Sequence, residues 1–359
     1  MSSTGMAVSN TPLWGQAWKL VVTSTSTNGN STMTTISGLT WEPEPLRITF
    51  DVLQSMTQVP WYADISVYNL NDTTIQNLLL TATWVTLSAG FMIGPNIQSV
   101  IWDGPVLQTL YTREEVVDQK ITLHCIGGPS PLALDNIVSF SMGRGTNQTL
   151  LLSTMAQETG QVPVSQAQGT LGPVASQRLA ATQYPRGNTI FGRSSEIVSQ
   201  VASSNFVQSW HDGKQTFISE INSGVVGQPS LVYAPPYPPG SIPATQDLPP
   251  GTTQSIIGTP QQWPQGVLFT VLLDPRLKVG LPPQLVQLVR LKTVSQLTLT
   301  QGGDPPSPLS ANLLFYVSQV RHVGDSRGND WQTEVTGFTA DYAQALALQL
   351  AIPAASSDD

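Results

Sequence analysis

Leu46-Arg-Ile-Thr-Phe-Asp-Val52 alternates apolar and polar side chains, the period-two pattern of a strand with one face in a core and the other in water. The same alternation recurs on either side of it, in Trp18-Lys-Leu-Val-Val22 and Ala63-Asp-Ile-Ser-Val-Tyr68. Further strands are expected at Trp84-Val-Thr-Leu-Ser88 and over residues 101–110 and 120–126. One short helix interrupts them, because Asn71 or Asp72 can cap the run 73–80 and its leucines fall on one face. Short strands at this spacing, with turn signals between them, point to a small antiparallel barrel or sandwich over residues 1–128.

Residues 129–225 read as a mixed α/β part. Helical spacing covers 147–159 and 194–204, with Ser194 as the expected cap of the second, and Asp212-Gly213 is expected to turn a hairpin within 206–218. Ten of the 28 prolines lie between Pro229 and Pro264. Pro235-Pro-Tyr-Pro-Pro-Gly240 cannot enter a helix interior or a central strand, so 226–264 reads as an extended connector. Strands resume at 266–273, 284–291, 313–322 and 331–337, giving a second β domain over 265–340. An alanine- and leucine-rich helix near 341–350 and an acidic tail complete residues 341–359. The fold class is therefore mainly β (α+β), with two antiparallel β domains around a mixed middle part and a proline-rich connector.

The two β domains share a pattern. A long strand, a charged turn and a returning strand that finishes in glycine occupy 106–110, 113–118 and 121–127, and again 317–320, 324–330 and 332–337. Such a pattern is that of a duplication, although any hairpin-rich chain can produce it by chance.

Composition narrows the functions. Charged residues are 11% of the chain, roughly half the usual share, while Gly (29) and Pro (28) are plentiful. With 15 basic against 23 acidic residues and a net charge of −8, the chain has no general attraction for nucleic acid or anionic membranes. The acidity sits in the two β domains: residues 1–128 carry a net −5, 129–225 none, and 226–359 a net −3. Cys125, the single cysteine, excludes an internal disulfide, and three histidines leave a His/Cys metal site to be gathered from distant segments. No run of eighteen apolar residues and no signal-like N-terminus is present, so a soluble product without a cleavable export signal is expected.

Catalytic chemistry finds little support. His124 alternates with Leu123 and Cys125 and is expected to point outward, His211 borders a hairpin turn, and His322 begins the polar segment 322–331. In that segment Gly324 and Gly328 are expected to supply positive φ at a hairpin tip. Carboxylates suited to glycoside hydrolysis would have to come from the scattered Asp64, Asp103, Glu114, Glu115 and Asp118. No P-loop, dinucleotide fingerprint, H-E-x-x-H or C-x-x-C occurs. Neither a catalytic residue, a cofactor nor a metal is assigned, and the chain is expected not to be an enzyme. Of the nine tryptophans, Trp84, Trp102, Trp210 and Trp331 are expected to be structural, while Trp14, Trp61 and Trp263 lie in loop-like text where exposure is expected.

The order of segments carries a resemblance. Leu46 to Val52, Ala63-Asp-Ile-Ser-Val-Tyr-Asn-Leu-Asn71 leading into a short helix, Val85-Thr-Leu-Ser-Ala-Gly-Phe91 and Ile101-Trp-Asp-Gly-Pro-Val-Leu-Gln108 together resemble the opening barrel of baseplate hub proteins of contractile-tailed bacteriophages. Ile257-Gly-Thr-Pro-Gln-Gln262, Leu272-Leu-Asp-Pro-Arg-Leu277 and His322-Val-Gly-Asp-Ser-Arg-Gly-Asn329 look like the second half of that family. The resemblance covers most of the chain and is weakest in the middle part and connector. It implies a structural virion protein with two tube-like β-barrels. As a homotrimer it would join the tail tube protein to the central spike protein, beside other baseplate proteins, and form part of a channel that passes DNA without specific binding. It implies a place in the tail baseplate of the virion, after synthesis in the host cytoplasm.

Under that reading the long hairpins 101–125 and 313–335 are the expected sites of subunit pairing, through Val106, Gln108, Val317 and Gln319. Asp325, Arg327 and Trp331 either bridge subunits or form a solvated tip with Trp331 in the core. Two alternatives remain: a distal tail or tube-initiator protein of another tail type, and a soluble carbohydrate-active β protein.

Overall fold

A computed structural model describes residues 14–25, 31–39, 46–56, 61–93, 98–113, 118–127, 137–159, 164–165, 170–211, 216–219, 231–234, 252–263, 266–279, 288–291, 298–299 and 313–339. The first β part contains β1 (Trp14–Thr25), β2 (Ser31–Leu39), β3 (Ile48–Ser55), β4 (Tyr62–Tyr68), α1 (Asp72–Thr81), β5 (Ala82–Ile93), β6 (Ser99–Arg113) and β7 (Gln119–Ile126). The middle part contains β8 (Ile137–Met142), α2 (Gln148–Glu158), α3 (Pro173–Ala181), β9 (Asn188–Arg193), α4 (Ser194–Ser204), β10 (Gln208–His211) and β11 (Thr216–Ser219). The last part contains β12 (Leu231–Ala234), β13 (Thr252–Gln254), β14 (Ile256–Trp263), β15 (Gly266–Leu272), β16 (Leu288–Leu291), β17 (Thr298–Leu299), β18 (Leu313–Asp325) and β19 (Trp331–Thr339).

Fifteen of these strands form one sheet, in the order β17-β14-β15-β19-β18-β3-β4-β7-β6-β5-β1-β2 with β12, β13 and β16 as a branch at β18. The order contains one arrangement twice. β3-β4-β7-β6 is an antiparallel unit in which an early hairpin meets the second strand of a later one, and β14-β15-β19-β18 repeats it. The later hairpin of each unit carries a bulge at the same place, between Val106 and Gln108 and between Val317 and Gln319. Such bulges increase local twist and re-aim the strand.

The fold is mainly β, but among the described residues neither unit closes into a barrel. The reason is the edge of β18, which pairs with β3 from Gln319↔Ser55 to Asp325↔Thr49 instead of returning to its own unit. The two halves are thus one continuous sheet. At the other end, β6 changes partners along its length: β5 takes residues 99–105 and β7 takes residues 106–113. The path therefore bends at β6, and β5, β1 and β2 form a second layer over the first. Trp331 of β19 donates its indole N–H to the Gly90 carbonyl of β5 at 3.1 Å, and Gln54 of β3 donates to the Ile101 carbonyl of β6 at 2.9 Å.

One core lies between these layers, containing Trp18, Leu20, Ile48, Phe50, Ile65, Leu87, Val267, Phe269, Phe315 and Trp331. Each such large apolar side chain taken from water contributes about 1.5–3 kcal/mol. The alternation that opened the sequence is realised here: Ile48, Phe50 and Val52 are buried, and Thr49, Asp51 and Leu53 turn to the opposite face. Trp61, expected to be exposed, is buried at 5% and donates to the Ser55 carbonyl at 2.7 Å, because the strand it opens places it under Gly127. The side chains of Trp14 and Trp263 lie outside the described residues.

Of the two helix caps expected from the sequence, one is found, and Asn147 caps a third helix for which none was named. Asn71 accepts the Thr74 amide at 2.7 Å and Asn147 accepts the Leu150 amide at 2.9 Å. Ser194 is not a cap: Arg193 takes that position, and the buried Ser194 hydroxyl has no hydrogen-bond partner. α3 was not expected, although Pro173 at its first turn is the usual marker of a helix start. α2, α3 and α4 share a second core, which includes Leu151, Leu152, Leu179, Val198 and Ile218. The hairpin β10–β11 fastens it to the sheet, since Trp210 and Phe217, stacked at 5.7 Å, belong to the large core while Ile218 belongs to the small one.

Within 226–264, expected to be an extended connector, β12, β13 and β14 are strands. β12 is buried along its whole length between parallel neighbours β13 and β16, and it ends at Ala234, before the proline run begins. Pro260 stands where the β14 register shifts, a position that proline tolerates. The Asp212-Gly213 turn, the run 341–350 and the acidic tail lie outside the described residues.

Candidate assembly surface

Strand alternation dictates that burying Ile48, Phe50 and Val52 sends Thr49 and Asp51 to the opposite face, and the same holds for each neighbour. Reading across six strands, that face presents Glu334 of β19, Arg321 of β18, Asp51 of β3, Asp64 of β4, His124 of β7 and Gln108 of β6. Arg321 is bidentate on Asp51, at 2.9 and 2.7 Å, and reaches Glu334 at 3.4 Å. These bonds, above all those to Asp51, raise the pKa of its guanidinium and keep it charged. His124 Nδ1 meets Asp64 Oδ1 at 2.6 Å, and Ser66 and Thr122 share a hydrogen bond at 2.9 Å.

The joint between the units is closed at its end by a second ion pair. Arg47 donates to Asp325 at 3.1 and 2.7 Å while lying 4.7 Å over the Tyr68 ring. Burial acts to raise the Asp325 pKa, and the Arg47 guanidinium with the amides of Arg327 and Gly328 overcomes it, so the carboxyl is lowered overall. Ser326 completes the lock, donating its amide to the Ile48 carbonyl and accepting the Ile48 amide on its hydroxyl, both at 3.0 Å. The acidity of this face is thus largely paired with basic residues of the same face.

The expected interface residues fall into two groups. Val317 (1% exposed) and Trp331 (3%) are inside the chain's own core, because their strand parity points them between the layers, so neither side chain is available to a partner. Trp331 stands edge-on to Phe50 at 5.2 Å, which is the solvated-tip arrangement with Trp331 in the core. Val106 is half-buried against the core, Gln319 is half-buried, and Gln108 and Arg327 are exposed. Asp325 is occupied by Arg47. Sequence reasoning missed Leu107, Leu110 and Tyr111, which with Gln108 make the 106–113 half of β6 exposed, with a described strand partner on the β7 side alone.

The other candidates do not gather. Asp103 accepts from Trp84 and Thr86, Asp118 accepts from Asn69, and His322 is fully buried. Burial, with the Asp64 charge, pushes the Cys125 thiol up to about 12, so it stays protonated. Glu114, Glu115 and the side chain of His211 lie outside the described residues. Gly324 and Gly328 do not have positive φ; they are small because a Cβ on Gly324 would overlap the Phe50 ring and one on Gly328 would stand 2.8 Å from the Asp325 carboxylate.

No family model and no curated protein matches the chain. Among solved structures it is similar to the tail protein from Neisseria meningitidis MC58, with TM-score 0.49, 8% identity, and coverage of 92% of this chain and 99% of that one. It is also similar to the prophage MuSo2 43 kDa tail protein from Shewanella oneidensis, with TM-score 0.48, 7% identity, and coverage of 90% and 99%. A third is the E. coli c3393 protein, a component of the type VI secretion system with structural similarity to the T4 bacteriophage tail proteins gp27 and gp5. That match has TM-score 0.42, 10% identity, and coverage of 83% and 75%.

Proposed function

We propose that the chain is a structural subunit of a phage tail baseplate hub, joining the tail tube to the central spike, and that it performs no catalysis. The observation that carries this reading is the repeated four-stranded unit and the way its two copies are joined. β18, the outer strand of one unit, pairs with β3, the outer strand of the other. β6 and β14 are the other outer strands of the two units; among the described residues β6 is open along 106–113, and β14 carries the two-residue β17 at Gln261 and Gln262. A chain that solves this joint once internally can repeat it between copies, β6 of one against β14 of the next. That is a head-to-tail contact of the kind that closes into a ring.

Three chains then supply six units to a sixfold tube while keeping threefold symmetry for a spike. In this arrangement the two units become tube-like segments only within the ring, and the charged face of Asp51, Asp64, His124, Arg321 and Glu334 lines the channel. Because three carboxylates stand there against the one guanidinium of Arg321, the lining offers passing DNA no net cationic surface to hold it. Tail tube, spike and other baseplate proteins are the partners of this reading.

Electron cryo-microscopy of intact tails tests it. Threefold density with two β units per chain between tube and spike is the expected result, and absence of the chain from the tail would overturn it.

A further inference from the structure

His322 stands on β18 opposite Thr333 of β19, at the joint between the two units, and is 0% exposed. Its Nδ1 lies 2.9 Å from Thr333 Oγ1, and the same oxygen accepts the Asp274 amide at 3.0 Å. Nδ1 meets the Thr333 hydroxyl, and the rest of the ring is buried beside the Leu277 backbone. The ring is thus seated away from bulk solvent, where a second proton would create a buried cation.

The segment 274–279 closes over this ring. It is held by Asp274, which accepts from Tyr233 at 2.6 Å and from Arg276 at 2.9 and 2.6 Å, and by the Val279 amide, which donates to Gln54 of β3 at 3.3 Å. Leu277 and Val279 are both fully buried in the large core. The charged groups that act on His322 come from this segment: Asp274, already engaged by Tyr233 and Arg276, and Lys278. On the same face β3 offers Phe50, Val52 and Gln54 and β19 offers Trp331, Thr333 and Val335, none of which titrates in acid.

We propose that His322 is an acid-released bolt: its protonation unseats the segment 274–279 and loosens the joint between β18 and β3. A cation formed there is shut off from bulk solvent. Burial foremost, and the neighbouring Lys278 charge, hold the ring to about 4, against the favourable Asp274 charge and Leu277 backbone. A histidine free in an unfolded or opened chain takes its proton near 6.5. Because the closed form resists that proton, closure is fully favoured above about pH 6.5 and loses its advantage as pH falls towards 4. At the matching place in the first unit, three residues past the bulge, stands the half-exposed Tyr111, so the device belongs to the internal joint.

Imidazole NMR of the full chain, with amide hydrogen exchange corrected for intrinsic rates, tests this. The expected result is a His322 ring that stays neutral down to about pH 4, with exchange at 274–279 and 331–333 rising about a hundredfold between pH 6.5 and 4. His322→Gln, whose amide oxygen can still accept from Thr333, is expected to abolish that rise. A ring that titrates near 6.5 with unchanged exchange in the native chain overturns the proposal without any variant. So does a His322→Gln chain that opens in acid as the native one does.

Discussion

Arg321 on β18 grips Asp51 on β3 through two hydrogen bonds, Nε to Oδ1 at 2.9 Å and Nη2 to Oδ2 at 2.7 Å, across 270 residues of chain. Bidentate, charge-assisted pairs are the strong members of their class, but both side chains keep partial access to water. Discounted for that exposure, Arg321→Met is expected to cost about 1 kcal/mol, and more at low salt than at high. Urea unfolding at two ionic strengths measures it.

Val317→Asp and Leu107→Asp separate folding from assembly. The first places a carboxylate without a partner in the core and is expected to cost several kcal/mol, roughly 3–5, seen as loss of cooperative thermal unfolding. Leu107 is 54% exposed, so Leu107→Asp is expected to leave stability within about 0.5 kcal/mol. If β6 pairs with a neighbouring copy, the same variant enters tail particles poorly.

Phe206 closes α4 with φ +55°. Its amide donates to the Ser203 carbonyl and the Val207 amide to the Ala202 carbonyl, the paired bonds of a helix end that favours glycine at this position. Phe206→Gly is expected to raise stability by about 1 kcal/mol, read as a higher urea midpoint.

Trp210→Ala removes the fastening between the two cores. Loss of a buried tryptophan costs about 3–5 kcal/mol. Because the middle part meets the large core through this side chain and Phe217, calorimetry is expected to show the single transition separating into two.

Gly324→Ala is expected to cost about 1–3 kcal/mol, because the added methyl must displace the Phe50 ring that Trp331 rests against. Weakened near-ultraviolet circular dichroism from the tryptophans reports the displacement.

What could be read from the residues was whatever is local. Alternation around Phe50 and Ile65 marks strands, and Asn71 marks a helix start, since a cap needs nothing beyond three residues of its own helix. Even the matching hairpins of the two halves leave a trace in the text. The pairing of Gln319 with Ser55 leaves none, because strand edges carry no sequence address, and that pairing is what turns two expected barrels into one sheet. Trp61 shows the same limit from the other side: a tryptophan at a strand end looks identical whether a second layer covers it or not. The ladder from Glu334 to His124 was invisible for a further reason, since its members come from five strands and become neighbours through register alone.

The internal joint also sets the order in which the molecule can be made. β3 leaves the ribosome early, yet the strand that covers its open edge lies some 270 residues later. At about 5–20 residues per second, that edge waits for roughly a quarter of a minute to nearly a minute. During that interval β3 to β7 present a bare strand to solvent, the kind of surface on which nascent chains of the same message catch one another. β18 is thus the strand that ends this vulnerability, and a chain truncated before it is left with the β3 edge open.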